Sequence, residues 1–523
     1  MLNKKTHRNI FLLGSVIIVV ALPLSPFLLT VGLVILAANW VAELGFKEKL
    51  QLLRQRKGIV FFSILFFVHL AWLFNTSNFS YALHDIKIKF PLFFLPLIYG
   101  TTQALSRHEF KIIIHFFLAT VLIATLISVF VFLGFTSIEP VDHRKLSVFI
   151  SHIRFSLLMV LSVYILISLL ICNKHYQLVP WVYYVLTLAW FLFFIILLGA
   201  FTGAFILFFV SPFALFFWFG TKQGKNYKPI GTLILVLLIV GVFGYIGFSV
   251  YKYSSRVKID ESKLEKYTVN GNRYAHFPSI SDYENQNRVW FYICDKELKT
   301  EWEKRSNIKF EGKDMRGQFI RSTMLRYLTS LGYRKDSVGV SKLTRHDIEM
   351  IENGYTNYIY KNRLSVYPRL YQLFWEIEMY LKHGNPSGHS FTQRIEYMKN
   401  AIRAIKRNFW FGSGTGDVND EIIYQYNIDK SKLAKQWQFR AHNQIITFFL
   451  AFGLTGFLII ILSVYGFLKS EKPNIDFISF TFLLIVLFSM LNEDTFETQA
   501  GVCFYAFFAS LFIFGRKLSS ETQ

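Results

Sequence analysis

A single histidine near the carboxyl-terminal end of the chain has the residue type and the position best suited to chemistry. His442 lies where a long polar segment ends and an apolar helix is predicted to begin, within Arg440–Gly456. Imidazole is the side chain best matched to taking a proton from an attacking hydroxyl near neutral pH. From the residues alone, His442 could equally cap the apolar helix or pack beneath the preceding loop.

Arginines at three places provide candidate binding groups for an anionic ligand. The guanidinium group is planar and permanently charged, so it can donate two parallel hydrogen bonds to two oxygens of one phosphate. The candidates are Arg394 on a predicted amphipathic helix, Arg288 in the stretch Asn-Gln-Asn-Arg-Val-Trp, and Arg154 at the end of an apolar segment. Each could instead be exposed, or could extend its charged end from the membrane into water. We interpret Arg440 as an anchor at the membrane interface.

Two groups of glycines flank the histidine in sequence. Gly412, Gly414 and Gly416 are not followed by Lys-Ser/Thr and follow a predicted helix, so a nucleotide-binding loop is disfavoured. A flexible turn is the simpler interpretation, with backbone amides that could face an anion. Gly453 and Gly456 are three residues apart, which predicts one shared helix face that another backbone could approach closely.

Acidic residues and the spacing of possible metal ligands are weaker indications of a functional site than His442 and the arginines. Asp85 and Lys89 are expected to be structural or to lie near the attacking hydroxyl. The stretch 492–497 contains three carboxylates, and we interpret it as a solvated loop, with cation binding or pairing to the arginines as alternatives. His383 and His389 lack helical ligand spacing, and the three cysteines are far apart, so no metal site, disulfide framework or cofactor is predicted.

Composition indicates a polytopic membrane protein. The 523 residues are 53% hydrophobic and 18% aromatic, and long apolar runs recur through the first half of the chain, which together argue against a soluble globular domain. The net charge of +22 lies largely in short loops beside apolar segments, where lysine and arginine orient a membrane protein. This charge therefore does not predict nucleic-acid binding.

Twelve apolar segments are predicted to span the membrane as helices. The basic amino terminus and the basic stretch 47–57 both favour the cytoplasm, which places residues 251–441 on the other side. We expect an all-α protein with a membrane domain at 1–250, a mainly helical extracytoplasmic insertion at 251–441, and a membrane domain at 442–523. The predicted spans are 10–24, 27–41, 58–74, 90–105, 112–132, 155–172, 179–198, 200–219, 230–250, 444–468, 477–491 and 502–514.

Within the insertion, apolar residues at helical spacing predict an amphipathic helix over 392–407. Its apolar positions are Ile395, Met398, Ile402 and Ile405. Shorter helices are predicted at 290–298 and 344–353, and nothing alternates clearly enough to predict a sheet.

The pattern His442-Asn443, nine residues, then Gly453-x-x-Gly456 resembles the signature of the O-antigen ligase and polymerase family. These multispanning, GT-C-like glycosyltransferases move a glycan from a polyprenyl pyrophosphate carrier to a lipid or sugar hydroxyl. The resemblance implies that His442 is catalytic. It also implies that Arg394, before the glycine-rich turn, binds the donor pyrophosphate, with Arg288 or Arg154 as a second contact. Where many members have an arginine before the eighth span, this chain has Phe201 in Gly-Ala-Phe-Thr-Gly.

The resemblance therefore predicts an inverting, metal-independent glycosyltransferase in the bacterial inner membrane. Its expected partners are a polyprenyl-pyrophosphate-linked glycan as donor, a lipid A-core or glycan hydroxyl as acceptor, and membrane lipid. A repeat-unit polymerase uses the same chemistry on another acceptor, and a transporter of lipid-linked glycans is the alternative from a different class.

Overall fold

The computed structural model describes residues 3–133, 147–172, 178–221, 224–362 and 365–516. Nearly all regular structure is helical, as the sequence predicts. The first eleven helices cover the amino-terminal half of the chain. They are α1 (Lys4–Leu24), α2 (Pro26–Ala42), α3 (Phe46–Gln55), α4 (Lys57–Ala71), α5 (Phe79–Lys89), α6 (Pro91–Thr101), α7 (Arg107–Phe132), α8 (His152–Cys172), α9 (Leu178–Leu198), α10 (Phe201–Phe219) and α11 (Lys228–Ser254).

The polar stretch that follows contains five helices and one short hairpin. The helices are α12 (Asp295–Trp302), α13 (Ile320–Ser330), α14 (Ser337–Ser341), α15 (Arg345–Glu352) and α16 (Tyr367–His383). Strands β1 (Tyr283–Glu284) and β2 (Asn287–Arg288) pair antiparallel. This hairpin was not predicted, because two residues per strand are too few to show alternation.

Five helices complete the chain. They are α17 (Ser390–Arg407), α18 (Val418–Ile428), α19 (Gln444–Glu471), α20 (Phe477–Asn492) and α21 (Gln499–Ala509), which continues into a π-helical turn at Ser510–Phe514. Asn443 caps α19 through its side chain, which accepts a hydrogen bond from the backbone of Ile446 at 3.0 Å.

The protein is a multi-pass membrane protein. In the described part of the chain, eight helices are long and apolar enough to cross a membrane, or nine if α2 and α3, bent by 110°, form one broken span. The apolar helix α20 and the helical stretch Gln499–Phe514 are shorter. Each of the twelve apolar segments of the sequence overlaps a helix, although α6 covers only part of segment 90–105.

Backbone contacts divide the chain into two compact units. The first comprises Met1–Thr232 and Asn385–Gln523, and the second comprises Leu233–Gly384. Residues 385–441, at the end of the predicted insertion, therefore pack with the apolar helices of the first unit. Tyr397 of α17 and Ile422 of α18 are buried in the same hydrophobic core as Phe482 and Tyr505.

The second unit has its own core. Trp302, Leu298 and Tyr327 are fully buried there. The helix predicted at 344–353 is present as α15, but the one predicted at 290–298 begins only at Asp295. That prediction is wrong for its first residues because Ile293 forms backbone bridges to Ala275 and Lys335 instead of helical hydrogen bonds.

Helix α17 confirms the amphipathic helix predicted at 392–407, but a different face is buried. Tyr397, Ala401 and Ala404 are buried, whereas Met398 and Ile402 are 38% and 45% exposed. The small alanine side chains allow neighbouring elements to approach α17 closely. The exposed apolar residues, with basic residues beside them, are typical of a helix at a membrane surface.

Candidate active site

Three segments of the first unit meet at the candidate site. They are α17, the stretch 440–447 that enters α19, and the turn 492–497 between α20 and α21. The turn contacts both other segments through side chains and backbone, and it determines the position of the histidine.

His442 lies immediately before the cap of α19, in a strained backbone conformation. Its φ is +47°, a left-handed conformation that costs a residue with a side chain about 1–2 kcal/mol. Its Nδ1 lies 3.3 Å from Oε2 of Glu493, and its ring packs against Tyr397 with ring centres 5.5 Å apart. Because a carboxylate only accepts hydrogen bonds, this contact favours a proton on Nδ1 and a lone pair on Nε2.

The His442 side chain is also accessible. It is 34% exposed, and Nε2 makes no hydrogen bond to any residue that the structure describes. An accessible lone pair on an oriented imidazole is the arrangement that a general base requires. His442 does not itself cap α19, because the side chain of Asn443 does so.

Arg394 lies on the opposite side of the same carboxylate. Its Nη2 donates to Oε1 of Glu493, and its Nη1 donates to Oδ1 of Asn492 at 2.5 Å and to the Asn492 carbonyl at 3.2 Å. The Arg394 side chain is 31% exposed and Glu493 is 14% exposed. Glu493 therefore bridges the two residues that the sequence singles out most strongly.

Asn443 fixes the backbone next to the histidine. Besides capping α19, its Nδ2 donates to the carbonyl of Leu491 at 2.9 Å. One side chain thus joins the start of α19 to the end of α20. These hydrogen bonds keep the backbone of His442 in its strained conformation.

The first turn of α19 makes further contacts with the turn 492–497. Gln444 donates to Oε1 of Glu497 at 3.1 Å and accepts from the backbone of Phe496 at 2.8 Å. Thr447 donates to Asp494 at 3.0 Å. These contacts satisfy polar groups that are partly shielded from water, so they fix the position of the turn relative to the helix.

A buried ionic cluster lies beside this helix start. Arg440 donates to Oε2 of Glu497 at 2.7 Å, and Lys89 lies 3.4 Å from the same oxygen and also bonds to Asp85. Lys89 is 1% and Glu497 6% exposed. Burial opposes ionisation of Glu497, but Lys89 and Arg440 outweigh it and hold the pKa of Glu497 below its usual value.

This cluster corrects two expectations. The stretch 492–497 is not a solvated loop, because Glu493 is paired with Arg394, Glu497 is paired with Arg440 and Lys89, and Asp494 accepts a hydrogen bond from Thr447. Arg440 is an internal ion-pair partner of Glu497 and not merely an anchor at the membrane interface.

A break in α19 at Gly453 receives the glycine-rich turn. Gly453 has φ +61° and ψ −168°, so the helix is interrupted at this residue. The break leaves backbone N–H and C=O groups of α19 without helical partners, and these groups form hydrogen bonds with the glycine-rich turn. The bonds are Ser413 N to Leu450 O at 2.8 Å, Gly414 N to Ala451 O at 2.9 Å, Leu454 N to Phe409 O at 2.8 Å and Thr455 N to Trp410 O at 3.1 Å.

Close backbone approach explains the glycines of the turn. A Cβ on Gly412, whose φ is +70°, would lie 2.4 Å from the backbone of Ala451. Cβ atoms on Gly414 and Gly416 would lie 2.1 Å from the carbonyl oxygen of Asn75 and 2.3 Å from that of Asn78. The turn therefore packs closely between α19 and the segment that precedes α5.

Two expectations about the glycines are corrected here. The amides of Ser413, Gly414 and Gly416 are bonded within the protein, so they do not face an anionic ligand. Gly453 and Gly456 do not share a helix face, because Gly453 is not helical. Gly453 allows a backbone to approach, whereas Gly456 faces the ring of Trp72.

A comparison with known families matches one part of the chain. Residues 352–461 match the family model described as O-antigen ligase. Over this range the chain is similar to the O-antigen ligase family. The matched range contains Arg394, the glycine-rich turn, His442 and the helix break at Gly453, so it supports assignment to the O-antigen ligase family and confirms the resemblance. No curated protein matches the chain.

The candidate site is connected to α10 next to Phe201, the position where the resemblance implies an arginine. Asn492, which binds Arg394, donates to Oγ1 of Thr202 at 2.9 Å. The neighbouring Phe201 is 68% exposed. The threonine after the substituted position thus supports Arg394 indirectly, through Asn492.

Arg154 lies in the first turn of α8 and lines a largely apolar cavity with Leu157, Ala500 and Phe504. Its charge interacts with that of Glu493, and its guanidinium forms no hydrogen bond within the described part of the chain. His442 and Arg394 contact Glu493 directly, whereas Arg154 interacts with it through charge alone.

Arg288 lies on β2 of the second unit and has partners there. It donates to Glu261 at 2.9 Å and to the hydroxyl of Tyr283 at 3.3 Å, and it lies over the ring of Phe291. These contacts hold its guanidinium group within the second unit, and its predicted role in phosphate binding stays a prediction.

Sequence reasoning offered pairing with the arginines only as an alternative for the stretch 492–497, and it missed the contact of Glu493 with His442. The available signal was a run of three carboxylates confined between two apolar helices, where full solvation is difficult. Across the described ranges, no three His, Cys, Asp or Glu side chains are grouped closely enough to hold a metal ion.

Proposed function

We propose that this protein is an inverting glycosyltransferase that moves a glycan from a polyprenyl pyrophosphate carrier to a lipid A-core or glycan hydroxyl. It acts at the outer face of the bacterial inner membrane. The observation that carries this proposal is the accessible imidazole of His442, which shares Glu493 with Arg394 within a segment similar to O-antigen ligases.

The residues suggest one displacement step. The acceptor oxygen attacks the anomeric carbon and gives its proton to Nε2 of His442. The bond between that carbon and the phosphate oxygen breaks, and polyprenyl pyrophosphate leaves with the electron pair. Arg394 and Arg154 balance the charge that develops on the leaving group. A single backside attack without an enzyme-linked intermediate inverts the anomeric configuration.

The proposed membrane arrangement supports this chemistry. Twelve spans with both termini in the cytoplasm place residues 251–441 and the site on the extracytoplasmic side. The exposed apolar residues of α17 would lie in the membrane surface, near a donor whose carrier is embedded in the bilayer. The helical architecture would then be of the GT-C type.

A repeat-unit polymerase would use the same residues on a growing glycan, so the acceptor distinguishes the two enzymes. A transporter is less well supported, because the paired charges described here cluster at one site outside the long apolar helices.

The decisive experiment is reconstitution. Purified protein in lipid vesicles would be given a polyprenyl-pyrophosphate-linked glycan with either lipid A-core or free glycan as acceptor. The proposal predicts a glycosylated acceptor of inverted anomeric configuration, free polyprenyl pyrophosphate, and preference for lipid A-core. Movement of donor across the vesicle membrane without transfer would contradict it.

A further inference from the structure

Glu493 is shared between two side chains that the proposed reaction assigns to different tasks. Its Oε1 accepts from Arg394, and its Oε2 lies 3.3 Å from Nδ1 of His442. The Arg394 contact is a direct charge-assisted hydrogen bond, whereas the His442 contact is long for a hydrogen bond. Without a donor, Glu493 is thus held mainly by the arginine.

Arg394 cannot donate two hydrogen bonds to one phosphate while both its terminal nitrogens keep their present partners. Nη1 is bonded to Asn492 and Nη2 to Glu493. A pyrophosphate carries more negative charge than one carboxylate, so it competes well for the guanidinium. If Nη2 turns to the donor, Glu493 loses its closest cation.

The released carboxylate has His442 within reach, while Arg154, the other cation whose charge it feels, is assigned to the leaving pyrophosphate. Glu493 is only 14% exposed, so water compensates its charge incompletely. The charged or titratable groups that interact with His442 are Glu493, Asp494 and Tyr397, and Arg394 lies on the other oxygen of Glu493. Of these, Glu493 is the carboxylate whose oxygen lies on the Nδ1 side of the ring.

We infer that Glu493 is a positioning residue that passes from Arg394 to His442 when the donor binds, so that donor binding prepares the base for the acceptor. This inference rests on the proposed function. A carboxylate held closely at Nδ1 fixes the tautomer with a lone pair on Nε2 and stabilises the imidazolium that forms. The donor would therefore bind before the acceptor can react.

The inference predicts opposite effects on two measured quantities for Glu493→Gln. The amide does not compete for Arg394 as a carboxylate does, so donor affinity should stay equal or rise severalfold. The single-turnover transfer rate should fall about 10- to 100-fold, because the base is no longer held in position. Glu493→Asp keeps the charge with a shorter reach and should recover part of that rate. Glu421→Gln removes another carboxylate of the same unit, paired with Arg407, and should change neither quantity.

The measurements are equilibrium binding of the polyprenyl-pyrophosphate-linked glycan and single-turnover transfer, on variants with unchanged chromatography and thermal unfolding. A parallel loss of donor affinity and rate in Glu493→Gln would show a merely structural role and overturn the inference. A wild-type rate in that variant would also overturn it. If Glu493→Gln does not fold, failure of Glu493→Asp to keep donor affinity overturns the inference. The variant His442→Ala separates the two claims. If this variant transfers glycan normally, His442 is not the base and the proposed function is contradicted. If it is inactive, the Glu493 variants test only the inference about Glu493.

Discussion

Gly453 and Gly412 have their backbones in contact: a Cβ on Gly453 would lie 2.5 Å from the amide nitrogen of Gly412. This contact places the end of α17 against the interrupted part of α19. Because Arg394 lies on α17 and His442 lies just before α19, the glycine contact sets the relative position of the two helices that carry the site.

Gly453→Ala should therefore destabilise the protein. Its backbone conformation is one that residues other than glycine rarely adopt, at a cost of about 1–3 kcal/mol, and the added Cβ would also collide with backbone atoms. Thermal unfolding in detergent should show a lower midpoint than wild type. Gly241→Ala is the matched control, because a Cβ there meets no atom within 4 Å and should leave the midpoint unchanged or slightly higher.

Arg394 should act on donor binding. Arg394→Ala should weaken donor affinity about ten- to a hundred-fold, since a charged hydrogen bond contributes about 1.5–3 kcal/mol. Arg394→Lys should recover only part of it, because an ammonium group lacks the planar pair of donors. Arg403→Ala, on the same helix but 57% exposed and paired with Asp429, should bind donor normally. Full rescue by lysine would argue against a bidentate phosphate contact.

Glu497 should stabilise the fold in a pH-dependent way. Its pKa is held below the usual value in the folded state, so its stabilising effect is complete above the ordinary glutamate pKa of about 4.3 and is lost as the pH falls through the folded-state value. Glu497→Gln should cost roughly 3–5 kcal/mol at pH 7, because Lys89 and Arg440 lose their shared counter-charge.

The comparison with wild type should be made by thermal unfolding at several pH values. The difference between Glu497→Gln and wild type should narrow below about pH 4. Glu349→Gln removes an exposed carboxylate paired with Arg345 and should cost at most about 1 kcal/mol. A difference independent of pH would mean that the charge of Glu497 is not what stabilises the cluster.

Transfer should not depend on a divalent cation. Arg394 and Arg154 can balance the charge of the leaving pyrophosphate, so transfer by purified protein should persist in excess chelator. Loss of transfer that one added metal restores would redirect attention to the carboxylates Glu493, Asp494 and Glu497.

Much of the architecture was accessible from the sequence because apolar segments of about 20 residues have few alternatives to a helix. The helix α17 was predicted from periodicity, yet its buried face was not, because periodicity does not say whether an apolar face meets protein or lipid. Met398 and Ile402 illustrate this point, since both are apolar and exposed.

The position of His442 before an apolar helix could also be predicted from the sequence. Its contact with Glu493 could not be predicted, because the two residues are 51 positions apart and no local pattern pairs them. The break at Gly453 was likewise hidden, since a glycine three residues from another glycine is equally compatible with an uninterrupted helix. Both features depend on contacts between segments that are distant in the chain.

The central claim is that His442 takes the acceptor proton, and single-turnover transfer by His442→Ala tests it most directly. With donor prebound, the rate should fall about 10²- to 10⁴-fold, while donor affinity measured on the same preparation stays near wild type. His383→Ala, an exposed histidine of the second unit, should transfer at the wild-type rate. Near-normal transfer by a correctly folded His442→Ala would contradict the account, because the histidine would then only mark the start of α19.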